Sequence, residues 1–130
     1  MDKEVLIARN RKFALDVLRV IGKLPSNRVY DALVRQLVRS STSVGANYRA
    51  ACRAKSTKDF VNKLKIVEEE VDESTYFLDL LCEIDDGSNK EKLIELFGEA
   101  NQLTAIYVAS LKTMRSRART ENEEKRKNMK

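Results

Sequence analysis

The sequence predicts an all-α chain, an antiparallel up-down-up-down four-helix bundle, and three observations carry that prediction. Gly and Pro are scarce, with four and one among 130 residues, so few positions can turn the chain tightly. Apolar residues recur at three- and four-residue steps in four separate stretches, which is the period of a one-sided helix. The stretches are joined by connections of a few residues, which leave only antiparallel neighbours to bury each stripe.

The first stripe is Leu6, Phe13, Val17, Val20 and Leu24, and it should stop near Gly22, because Leu24-Pro25-Ser26-Asn27 supplies a proline stop followed by capping side chains. The second helix runs from about Arg28 to Cys52 with Tyr30, Leu33, Leu37, Val44 and Ala51 inward. Ser56 and Asp59 have the spacing of a capping box and open the third helix, whose stripe is Phe60, Leu64, Val67, Val71, Leu78 and Leu81. Asp85-Asp86-Gly87-Ser88-Asn89 is a dense turn signal. Leu93, Leu96, Ala100, Leu103, Tyr107 and Met114 make the fourth stripe. Periodicity then ceases, so the bundle is placed at residues 1–116, with 117–130 a basic tail that should be frayed or disordered.

Composition narrows the chemistry. There is no His, which removes the commonest general base and the commonest transition-metal ligand. Cys52 and Cys82 are too few and too distant in sequence for a disulfide framework or a zinc site, and are expected reduced and partly buried. The run Glu68-Glu69-Glu70-Val71-Asp72-Glu73 invites comparison with carboxylate di-metal bundles, yet the inner positions of the other helices offer no matching acids. A solvated acidic face is the expectation, with no metal, no cofactor and no catalytic residue. P-loop, GxGxxG and GxSxG patterns are absent from the sequence. No apolar run approaches the ~20 residues that cross a bilayer, and the first residues lack the order of a signal peptide, so the expected location is cytoplasmic, without a membrane partner.

Charge is unevenly spread over a chain of net +5. Residues 27–58 hold seven basic and one acidic side chain, residues 59–111 four and thirteen, and residues 112–130 eight and three. At 100° per residue, Arg28, Arg35, Arg39, Arg49 and Arg53 project within an arc of about 80°, forming an arginine stripe on the second helix. Guanidinium groups bind phosphates bidentately and stack on bases, so the functional expectation is a non-specific RNA or DNA track, helped by Lys112, Arg115 and Arg119. Two other readings stay open at this point: a self-association surface meeting acids of a neighbouring copy, and a merely solvated face.

Between these arginines lies Ser40-Ser41-Thr42-Ser43-Val44-Gly45-Ala46-Asn47, unusual inside a helix, since Ser, Thr, Gly and Asn cost about 0.5–1 kcal/mol each relative to Ala. Small side chains permit close backbone approach, and Ser40, Ser43 and Asn47 are expected to hydrogen-bond across a helix interface. The alternative is a loop that splits the second helix.

In this middle third the sequence resembles the bacterial 23S rRNA intervening-sequence proteins. Their pattern, approximately Q-L-x-R-S-x-x-S-I-x-x-N, is matched by Gln36, Leu37, Arg39, Ser40, Ser43, Val44 and Asn47, the downstream S-x-x-x-F by Ser56 and Phe60, and a glutamate of the third helix by Glu73. After Asn47 the sequence departs, with Tyr48-Arg49-Ala50-Ala51 where an Ile-x-Glu-Gly step is common, and Glu69-Glu70 where Gly-Ser is common. The resemblance implies a four-helix bundle that forms a homo-oligomeric ring, usually a pentamer. It places Gln36, Ser40, Ser43, Asn47 and Glu73 at helix interfaces, and implies no enzymatic activity. A similar bundle is the accessory protein of diversity-generating retroelements, where it contacts a reverse transcriptase and nucleic acid, so the resemblance adds a reverse transcriptase to the candidate partners.

Overall fold

A computed structural model describes residues 2–129. Four helices account for nearly all of them: α1 (Lys3–Ile21), α2 (Arg28–Ala51), α3 (Thr57–Ile84) and α4 (Lys90–Asn128). Three of the four starts are capped by a side chain, while Asn89 at the start of α4 makes no such bond. Asp2 accepts from the Glu4 amide, Asn27 from the Val29 and Tyr30 amides at 3.0 Å each, and Ser56 from the Asp59 amide at 3.1 Å. Asp59 Oδ2 returns to the Lys55 amide at 3.2 Å rather than to that of Ser56, a one-residue variant of the reciprocal box. The α3–α4 turn needs Gly87, whose φ of +110° lies where an L side chain is strained.

α3 packs most extensively, against α2 on one side and α4 on the other, while α1 closes the bundle against α2 and, more lightly, α4. Diagonal backbones do not approach closely. The core is drawn from the stripes read above: Phe13, Val17, Leu37, Val44, Leu64, Val67, Val71, Leu78, Leu81, Leu93 and Leu103 are all buried. Leu24, Tyr30, Leu33 and Phe60 are only partly buried at its edge, and Met114, expected in the fourth stripe, lies past Leu111 and outside the core. Tyr48 and Tyr107 meet across the centre with ring centroids 5.6 Å apart and planes tilted by 48°. α2 runs unbroken through Ser40–Asn47, so the small-residue stretch is helix and not a loop.

The tail differs from its sequence reading. Where fraying was expected from residue 117, α4 continues as helix to Asn128; Lys130, the last residue of the predicted arm, lies outside the described residues. Good helix formers, with Glu121 four residues before Lys125 and Glu123 four before Lys127, favour the helical path. Leu111 is the last buried residue of α4, so residues 112–128 extend about 25 Å past the core. No described helix is long and apolar enough to cross a membrane.

Candidate nucleic-acid interface

On α2, Leu37, Val44, Tyr48 and Ala51 point to the core, and Arg28, Arg35, Arg39, Arg49 and Arg53 lie on the opposite, exposed side. Arg53 stands just past the helix end, in a turn closed by its amide on the Ala50 carbonyl at 3.1 Å. The five arginines divide by what flanks them. Arg39 reaches α3, where Nη1 lies 3.1 Å from Glu70 Oε2 and Nη2 donates to Glu73. Those contacts, Glu73 first and Glu70 second, raise the already high pKa of its guanidinium. Arg28, Arg35, Arg49 and Arg53 have no ion pair with any described residue.

On its other flank α2 faces α1, and no carboxylate lines the groove between them; Asp2 and Glu4 lie beyond it, where their charges help to raise the Tyr48 hydroxyl. Arg49 and Arg53 share a groove of about 600 Å³ with Lys3 and Arg11. It stays open because Ala14, Gly45 and Ala46 have too little side chain to fill it. Lys3 and Arg11 were not among the residues singled out by the arginine stripe, which considered one helix at a time; only the α1–α2 pairing brings them to it. Lys112, Arg115 and Arg119 are exposed on the projecting part of α4, along one side that also holds Val108. Because α4 is antiparallel to α3, they stand at the end of the bundle where α2 finishes and α1 begins.

The expected helix-interface residues sit on the flank of α2 that turns toward α3, with differing roles. Ser40 is buried; it accepts from Ser74 Oγ at 2.9 Å and donates to the Leu37 carbonyl at 3.3 Å, tying α2 to α3. Ser43 and Asn47 do not bond across the interface. Ser43 donates to the Arg39 carbonyl at 2.8 Å and Asn47 Nδ2 to the Ser43 carbonyl at 2.9 Å, both within α2. Their positions are rotated away from the core direction, so the nearest acceptor is the preceding turn. Gln36 is rotated as far and is exposed. Glu73 holds Arg39 from the α3 side.

Two buried polar residues escaped the sequence reading, Ser74, which meets Ser40, and Asn10. Asn10 is fully buried and accepts from Tyr107 Oη at 2.7 Å. Its place in the series Leu6, Asn10, Phe13, Val17, at steps of four, three and four, was the available signal. Its Nδ2 is buried with no hydrogen-bond partner, a state that costs about 1–3 kcal/mol. Beside it, Arg9 binds Glu99 at 2.6 Å and Gln102 at 2.8 Å, fastening α1 to α4.

The acidic face of α3 does not assemble into a metal site: among the described residues no three Cys, Asp or Glu side chains stand together as ligands would. Glu70 and Glu73 serve Arg39, and Glu68 lies 3.4 Å from Lys65. Both cysteines are unbridged and half-buried, and burial pushes the Cys82 thiol above its ordinary pKa, the reverse of what an activated nucleophile needs.

A family model described as 23S rRNA-intervening sequence protein matches residues 4–109. Among solved structures, the chain is similar to a protein of unknown function from the S23 ribosomal protein family of Bacteroides thetaiotaomicron. The two are 28% identical with a TM-score of 0.75, over 86% of this chain and 99% of that one. No curated protein matches.

Proposed function

We propose, from the premise that this chain belongs to the 23S rRNA-intervening sequence protein family, that it is a non-enzymatic, cytoplasmic binder of RNA or DNA. It holds phosphates without sequence preference at Arg28, Arg35, Arg49 and Arg53, assisted by Lys112, Arg115 and Arg119. The observation that carries this reading is that, among the described residues, no carboxylate forms an ion pair with those four α2 arginines, although the chain holds twenty acids. Neighbouring like charges repel, and a polyanion that spans them relieves the repulsion while releasing its own counterions. Arg39, already held by two glutamates, has the smallest part.

Titration of labelled RNA and DNA at two salt concentrations tests it. Binding should be present at low salt and fall steeply as salt rises, and absence of binding at low salt rejects the reading.

A second reading has its own observation. The outer side of α3 exposes Ile66, Tyr76 and Ile84 beside Glu69 and Glu83, a mixed apolar and acidic strip that nucleic acid has no reason to cover. A homo-oligomer, the pentamer implied by the resemblance, or a partner such as a reverse transcriptase would use it. Reversing Arg35 and Arg39 to Glu separates the readings: assembly through these charges predicts a broken oligomer, whereas phosphate binding predicts an intact one with weakened nucleic-acid affinity.

A further inference from the structure

The α1–α2 groove has features that phosphate binding does not use. Its rim is cationic, from Lys3 and Arg11 on α1 and Arg49 and Arg53 at the end of α2, and no acidic residue lines it. Its floor is apolar and small, made by Ile7 and Ala14 on one side and Gly45 and Ala46 on the other. A phosphate needs only the rim. A volume of about 600 Å³ lies in the range of sites for small organic ligands and far exceeds what one phosphate fills. Beneath the floor lies Asn10, its Oδ1 taken by Tyr107 and its Nδ2 buried without a partner. The two backbones are close here, since a Cβ on Gly45 would come within 3.5 Å of the Asn10 Cβ.

An apolar slot with cationic side chains around it matches a flat ring tethered to phosphates. We infer that the groove takes one unstacked base of a single-stranded nucleic acid, with the flanking phosphates on Lys3, Arg11, Arg49 and Arg53. This rests on the nucleic-acid reading and adds to it a strand preference, because a duplex keeps its bases stacked and out of reach. Arginine planes at the rim can also cover the exposed face of the base.

The test compares a labelled single-stranded oligothymidylate with a blunt duplex containing the same strand. Ala46→Leu, at an exposed helical position, fills the slot and keeps all four cations; Ala14→Leu fills it from the other wall. Each variant is checked by its thermal unfolding. The expected result is a single-strand affinity about tenfold weaker in both variants, equivalent to about 1.4 kcal/mol, with duplex affinity unchanged. Wild-type single-strand binding by a folded Ala46→Leu protein, or equal losses for both probes, overturns the inference. Arg49→Glu with Arg53→Glu supplies the separation: if it weakens both probes while the filling variants weaken neither, the groove inference fails alone. If it weakens neither, the nucleic-acid reading fails with it.

Discussion

The two seams that flank α2 start from the same helix and end differently. On the α3 side, Ser40 and Ser74 share a buried hydrogen bond, and Glu70 and Glu73 close over Arg39. On the α1 side, the residues that meet Arg49 and Arg53 are Lys3 and Arg11, and the seam stays open over small side chains with Asn10 half satisfied beneath it. Arg39 thus becomes structural where α3 supplies carboxylates, and Arg49 and Arg53 stay unpaired where α1 supplies Lys3 and Arg11. Position on α2 does not decide the role of an arginine; the facing helix does.

The comparison can be broken first at the core that both seams share. Leu37 is fully buried on α2, and Leu37→Ala should cost about 2–5 kcal/mol, read from denaturant unfolding. A cost below about 1 kcal/mol would mean that α2 is not held between its neighbours in this way.

The next effect compares the buried polar contact of the α2–α3 seam with the α1–α4 bond that lies beneath the α1–α2 groove. Tyr107→Phe strips Asn10 of its one bonded partner and should cost about 1–3 kcal/mol. Ser74→Ala should cost about 1 kcal/mol, since Ser40 keeps its bond to the Leu37 carbonyl. Parallel urea curves for the two variants settle the order.

Alkali gives a related contrast. Burial raises the Tyr48 hydroxyl from 10.0 to about 12 and raises Tyr107 as well, so the folded protein keeps both neutral where the unfolded chain would ionise. The stabilisation is complete below pH 10 and is lost as pH climbs toward 12. Stability measured across that window should drop, and drop less steeply in Tyr48→Phe.

The smallest effect is at the surface. Arg39→Ala should lose less than about 1 kcal/mol, and less still in high salt, because the pair is about half exposed on the arginine side. Arg49→Ala should be neutral or slightly stabilising under the same assay, having no acid to lose.

The same contrast separates what the sequence makes legible from what only packing creates. The four helices, their caps at Asn27 and Ser56, and the buried leucines and valines were legible, because each depends on residues within a turn or two of one another. The pairing of Arg39 was not, since Glu70 and Glu73 are more than thirty positions away and become neighbours only when α2 and α3 pack. Ser43 and Asn47 were expected to reach across, but a hydroxyl or amide on a helix has its own carbonyls four residues back as the nearer acceptors. Asn10 went unread because polarity hid a position whose spacing was that of the core. Past residue 116, loss of apolar period was read as loss of helix, although propensity and paired charges at four-residue spacing are enough to continue one.

The central claim is that the arginines left without carboxylates hold a polyanion. The most direct measurement compares wild type with Arg49→Glu/Arg53→Glu for binding labelled single-stranded RNA at low and at physiological salt. The account predicts that wild type binds with a steep salt dependence and that the variant, equally stable, loses most of its affinity and part of the salt slope. Equal binding by the two folded proteins at both salt concentrations would contradict it.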